Sequence, residues 1–178
     1  MKETKIELHK GKLLTLLILS GIFVLASLFF IVITLQERAS TTLFVFGLTM
    51  GLLGALFFGA TTLFFAKKYQ DTQLGLVINA TGITDNSSFI SVGFIPWKDI
   101  DSISELMVKG QQFIRIHIKD SKKYTQQAKP FTKRMLLRLN ARFYGSPIQI
   151  SCNSLKTNHQ ELLNLIEGAL TRSRSSNQ

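Results

Sequence analysis

Hydrophobic positions follow two regimes along this chain. Residues 13–35 (LLTLLILSGIFVLASLFFIVITL) and 43–66 (LFVFGLTMGLLGALFFGATTLFFA) are apolar runs without Asp, Glu, Lys, Arg or His. At about 1.5 Å per residue each run makes a helix of roughly 35 Å, enough to cross a hydrocarbon core of ~30 Å with some tilt. Helix is the state lipid requires, because each backbone N–H and C=O must find its partner within the segment and two lone strands cannot close a barrel. The pattern predicts transmembrane helices over 13–35 and 43–66, joined at 36–42 into an antiparallel hairpin.

From residue 69 onward the period changes. LGLVINATGITDNSS carries apolar Leu74, Leu76 and Ile78 at alternate positions before turn residues at Ala80 to Gly82, and ISVGFIPWKDIDSISELMV continues in short strands. FIRIHIK places Ile114, Ile116 and Ile118 on one face and Arg115, His117 and Lys119 on the other, and PIQISC after Gly145 supplies one more strand. Two segments switch to helical spacing. Residues 132–144 align Met135, Leu136, Leu139 and Phe143 in one stripe, with Arg134, Arg138 and Arg142 on a flanking side that the pattern predicts as exposed. Residues 157–170 open with Thr157 and Gln160 at capping-box spacing and repeat Leu162, Leu163, Ile166 and Leu170. The expectation is an α+β domain over 69–170, large enough for one modest core, and a fraying polar tail at 171–178.

Charge orients these pieces. The leader 1–12 holds Lys2, Lys5, Lys10 and Lys12, the loop only Arg38, and Lys67 and Lys68 follow the second run at once. Cations beside spans stay in the cytoplasm, so both termini are expected there and the loop outside. A cleavable signal is the rival reading of the first run, but its apolar core exceeds the ~7–15 residues of a signal, no small-x-small site ends it, and a second run follows. Cys152, the chain's one cysteine, then lies in a reducing compartment with no disulfide partner, and the sequons at Asn79 and Asn86 carry no sugar. Gly47, Gly51, Ala55 and Gly59 form a small-residue ridge at intervals of four, suited to close approach by the first helix or by a second copy. Intramembrane charges, which would mark an ion or proton path, do not occur in either run.

Motifs for chemistry are missing. His9, His117 and His159 are not at ligand spacing with each other or with Cys152, no G-x-S-x-G, H-E-x-x-H or paired-carboxylate pattern occurs, and the domain's glycines are isolated. The reading is no enzyme, no metal and no cofactor. What remains is charge: the chain has a formal net charge of +10. A basic band runs through Lys119, Lys122, Lys123, Lys129, Lys133, Arg134, Arg138 and Arg142, with Arg115 and His117 alongside. A domain held a few residues after Lys68 sits beside an anionic leaflet, where each Lys or Arg gains about 1 kcal/mol. Nucleic acid fits the sign of charge but finds no helix-turn-helix and no interleaved aromatics.

The pair GLVINATGITDNSS and GFIPWKDI, the later MLLRLNARFYGSPIQIS and the closing helix, all behind two spans, resemble an uncharacterised family of bacterial inner-membrane proteins with a cytoplasmic PH-like domain. That resemblance covers nearly the whole chain. It implies a bent antiparallel sheet or partly open barrel, plugged at one end by the C-terminal helix, and implies no catalytic residues; the helix before the final strand is additional to a minimal PH-like domain. Within IPWKDI, Pro96 belongs at a strand end and Trp97 covers an open end of the sheet with one N–H left for a carbonyl, while Lys98 and Asp99 are solvated. The expected function is a membrane-anchored, non-enzymatic binding or scaffold module. Its basic face (Lys122, Lys123, Arg134, Arg138, Arg142) meets membrane lipid or a membrane or cytoplasmic protein, and a second copy of the chain is a further partner. The alternative is a self-protection (immunity) or regulatory subunit acting through its transmembrane ridge.

Overall fold

A computed structural model describes residues 3–36 and 40–175. Lys2, residues 37–39 of the expected external loop including Arg38, and the last residues of the tail lie outside the described residues. The elements run β1 (Thr4–Ile6), α1 (Lys10–Gln36), α2 (Thr41–Gln70), β2 (Leu76–Ile78), β3 (Gly82–Asp85), β4 (Gly93–Pro96), a 3-10 turn (Trp97–Asp99), β5 (Ile100–Val108), β6 (Gln111–Ile118), α3 (Ser121–Gln127), α4 (Phe131–Tyr144), β7 (Ile148–Ile150), a second 3-10 turn (Cys152–Ser154) and α5 (His159–Ser175). They divide into two compact units, the helical hairpin 10–72 and a sheet unit built from 1–9 together with 73–178. The class is α+β, with two antiparallel sheets, a C-terminal helix and no closed barrel among the described residues.

In the hairpin, α1 and α2 are both long and apolar enough to cross a membrane. Their seam is a series of small-against-large contacts. A side chain at Gly47 would meet Thr34, one at Gly51 would meet Ile31, and one at Gly54 would meet the Ser27 hydroxyl at 2.7 Å. The series continues through Phe23 stacked on Phe58, with centroids 4.7 Å apart, and a Thr62-to-Ser20 hydroxyl hydrogen bond of 3.0 Å. Positions 20, 23, 27, 31 and 34 therefore meet 62, 58, 54, 51 and 47, in steps of three or four that keep one side of each helix on the seam. The expected ridge is filled by α1 at Gly47 and Gly51; a Cβ at Gly59 would meet nothing within 4 Å among the described residues, and Gly54 takes part although it is off the every-fourth row. At the open end, Lys10 Nζ donates to the carbonyls of Lys68, Tyr69 (2.6 Å) and Asp71, and Lys68 pairs with Asp71 at 3.0 Å. A cation on terminal carbonyls satisfies the orphan acceptors of a helix end.

In the sheet unit, a four-stranded sheet of order β1-β2-β3-β4 precedes a three-stranded sheet of order β5-β6-β7. The residues expected to form a separate basic leader are the first strand: Thr4, Lys5 and Ile6 pair antiparallel with Ile78, Val77 and Leu76. Ile6 and Leu8 are buried, Leu8 bridges Leu155, His9 N donates to Ser154 O at 2.7 Å, and Lys156 pairs with Glu7 at 2.6 Å. Alternation is too short to see in three residues centred on Lys5 and flanked by Glu3 and Glu7, so this strand is decided by its partner. The core runs through Leu76, Ile78, Ile83, Ile95, Ile100, Ile114, Ile116, Ile148, Ile150 and the inner side of α5. Hairpin β5–β6 turns on Lys109 and Gly110, both at positive φ (49° and 78°), the conformation of a two-residue primed turn.

Two helical expectations shift. α5 begins two residues later than predicted and is capped by Asn158, whose Oδ1 accepts from Glu161 N at 2.8 Å, in place of Thr157 with Gln160. It also continues through Ser175, with Arg174 donating to Asp101 O, so the first part of the predicted tail is helix. Helix α3 is not among the predicted elements and is started by Asp120, whose side chain accepts from the backbone of Lys122 and Lys123.

Candidate functional site

Trp97 opens the 3-10 turn where the chain leaves the four-stranded sheet for the three-stranded one. Its ring is buried, Nε1 donates to Asn79 O at 2.9 Å, and its backbone N donates to Thr81 O at 3.2 Å. Asn79 is itself tied down: its Oδ1 accepts from Thr81 N, Thr81 Oγ1 and Gly82 N within 3.1 Å. Gly82, paired with Pro96, has no room for a Cβ, which would run into Ile95 O and Pro96 Cα. Pro96 and Trp97 thus form a structural corner. Lys98 is exposed as expected, but Asp99 is not merely solvated: its Oδ2 accepts from Lys123 Nζ at 2.6 Å and from Tyr124 Oη at 2.7 Å. The Lys123 hydrogen bond, then that of Tyr124, holds the Asp99 carboxyl below the usual carboxylate range. Burial, followed by the Asp99 contact, pushes the Tyr124 phenol up.

That pairing ties α3 to the corner and borders a hollow of about 390 Å³ lined by Phe94, Pro96, Lys123, Tyr124, Lys129 and Lys133, among others. Lys133 Nζ donates to Ser91 O at 2.5 Å, and burial lowers its pKa, with Asp85 opposing the shift. The hollow is cationic, yet two of its three ammonium groups already have protein partners. Among the described residues no group of His, Cys, Asp and Glu could hold a metal ion.

The five cations of the basic face predicted from sequence have unlike surroundings. Lys123 is committed to Asp99, and Arg134 is half-buried with Nε donating to Ala128 O at 3.3 Å, which corrects its expected place on an exposed side. Lys122, Arg138 and Arg142 are exposed. Arg115, read as part of the band, is a fastener: Nη1 donates to Tyr144 O at 2.8 Å, fixing the end of α4, and Nε donates to Ser104 Oγ at 2.9 Å. His117 Nε2 shares that hydroxyl at 2.9 Å.

The orientation of α4 is the larger correction. Its inward side is Leu137, fully buried, with Lys133, Arg134, Asn140, Ala141 and Tyr144 half-buried around it. The predicted apolar stripe points outward, with Met135 45% exposed, Leu136 37%, Leu139 40% and Phe143 69%, and Phe131, one residue before the predicted helix, is 70% exposed. With about 100° between successive residues, Arg138 and Arg142 fall on one border of that outward apolar arc, beside Phe131 and Met135. No acidic residue occurs on the helix. Set against known proteins, the chain matches no family model, no curated protein and no solved structure.

Proposed function

We propose that the protein is a membrane-anchored, non-enzymatic binding module of a bacterial inner membrane, in line with the PH-like family it resembles. α1 and α2 cross the bilayer, both termini lie in the cytoplasm, and the sheet unit is displayed to the anionic leaflet. One observation carries this reading: β1 and β2 are neighbours in one sheet, yet the whole helical hairpin lies between them in the chain. A sheet that pairs strands from both flanks of the hairpin requires those flanks to be on the same side of whatever the helices cross.

Three further facts support it. Side chains such as Leu25, Phe29, Leu56 and Phe57 point outward with about two-thirds of their surface uncovered, a state stable in acyl chains and not in water. Lys10, Lys12, Lys67 and Lys68 stand at the open end of the hairpin. The uncommitted cations Lys122, Arg138 and Arg142 suit an anionic surface. The alternative role through the transmembrane ridge has less to rest on, since Gly47 and Gly51 are already taken by α1.

The test uses the full chain in cells. The protein is expected to resist alkaline extraction, a C-terminal reporter is expected to be cytoplasmic, and Lys122→Glu with Arg138→Glu and Arg142→Glu is expected to strip anionic lipid from the detergent-purified protein. A reporter on the outer side, release into the aqueous fraction, or unchanged lipid in the charge-reversed protein would each defeat the proposal.

A further inference from the structure

We infer that the outward face of α4 is an interfacial membrane-binding surface that lays Phe131, Met135, Leu139 and Phe143 into the headgroup region of an anionic bilayer. The inference rests on the reading above that the hairpin spans, and adds to it the surface used and the mode of contact.

The argument starts from what α4 leaves uncovered. A helix with one apolar arc normally buries it, and a contiguous row of five large apolar side chains left in water marks a contact surface. Here the other side of the helix is the one attached, through Leu137, the Arg115 bond to Tyr144 O and the Lys133 bond to Ser91 O. The apolar arc is therefore outward because the polar arc is held inward.

Its occupant follows from charge and tether. Arg138 and Arg142 border the apolar arc and no carboxylate lies on the helix, so the face offers greasy side chains beside cations. That is the composition of a helix lying in the plane of an anionic interface, where apolar insertion and attraction to lipid phosphates add. A symmetric dimer that packs this face against itself with the helices antiparallel would bring the arginine rows of two copies together, a like-charge contact. The links to the hairpin are also short: α1 begins at Lys10, directly after the residue that hydrogen-bonds to Ser154, and α2 ends only about five residues before β2. A fully extended link of that length reaches at most about 20 Å. A surface on a domain held that close to its anchor can be weak and still bind.

The experiment places the full-length protein in nanodiscs of phosphatidylcholine, alone or mixed with phosphatidylglycerol. In a Cys152→Ser background, single labels are introduced by Leu139→Cys, Phe143→Cys or, as an exposed reference on α5, Asn164→Cys. Each carries an environment-sensitive fluorophore, and doxyl groups on the acyl chains serve as quenchers. Emission from Trp97 checks that the corner is intact in every variant. Labels at 139 and 143 are expected to shift to the blue and to be quenched by doxyl lipid when phosphatidylglycerol is present, while the reference is not. Arg138→Gln and Arg142→Gln are each expected to lower the docked-to-free ratio about fivefold, the equivalent of about 1 kcal/mol per cation. Labels that match the reference in both lipids overturn the inference, and so do labels shielded without doxyl quenching, which would mean that a second copy or another protein covers the face. If the protein fails to remain in the discs after an alkaline wash, the spanning reading falls and this one with it; a stably inserted protein with water-exposed labels defeats only the role of α4.

Discussion

α4 and α5 look alike on paper and behave in opposite ways. Both repeat large apolar residues at helical spacing with cations at the margins. α5 buries its arc completely, with Leu162, Leu163, Ile166, Ala169 and Leu170 against the sheets. α4 turns its arc outward and is attached by one leucine and several hydrogen bonds. Amphipathicity states that a helix has two faces and does not state which face meets the rest of the protein. The difference separates a helix that stabilises the fold from one that is carried by it.

Truncation should expose that contrast most strongly. Ile166→Ala and Leu137→Ala remove fully buried side chains and are expected to cost about 2–5 kcal/mol each, whereas Leu139→Ala, from the outward arc, should stay within about 0.5 kcal/mol. Urea titration in mild detergent, followed by Trp97 emission, reads all three. Equal losses at 137 and 139 would mean that the outward arc is packed after all.

A smaller effect is expected at the polar attachment. Arg115→Met keeps much of the stem but leaves Tyr144 O without its charged donor, a loss of about 1.5–3 kcal/mol that should appear as faster amide exchange at the end of α4 and not in α5. Exchange that rises equally in both helices would argue that they open as one unit.

The smallest effect concerns pH at the corner that supports α3. The Asp99 carboxyl is held below its ordinary value in the folded state, so its contribution is present above the unfolded pKa of about 3.9 and is lost as pH falls through the lower folded value. Lys123 is itself well exposed, so the contribution should be under about 1 kcal/mol after screening by water. Asp99→Asn should flatten the acid limb of a stability-against-pH curve between those two values, and an unchanged limb would remove the corner from the account.

Much of this molecule is legible in the residue order. The two helices long and apolar enough to cross a membrane follow from uninterrupted apolar runs, and the Ile114, Ile116 and Ile118 alternation announces β6 through purely local geometry. The corner at Pro96 and Trp97 was readable for the same reason: a residue without an N–H followed by a large ring with one donor suits few places. The candidate site was less legible. Lys123 and Arg134 look like free cations until Asp99 and Ala128 are brought beside them.

Sequence alone determined where this chain is greasy, where its four longer helices lie and where it must turn, since those properties depend on neighbours within a few positions. Tertiary structure decided the rest. It made a strand of Thr4–Ile6 by supplying Leu76–Ile78 across a long insertion, it seated Thr34 and Ile31 at Gly47 and Gly51, and it turned Leu137 inward so that Phe143 faces out. Each of these outcomes compares the free energy of one partner with another far away in the chain, and no local pattern contains both sides of that comparison.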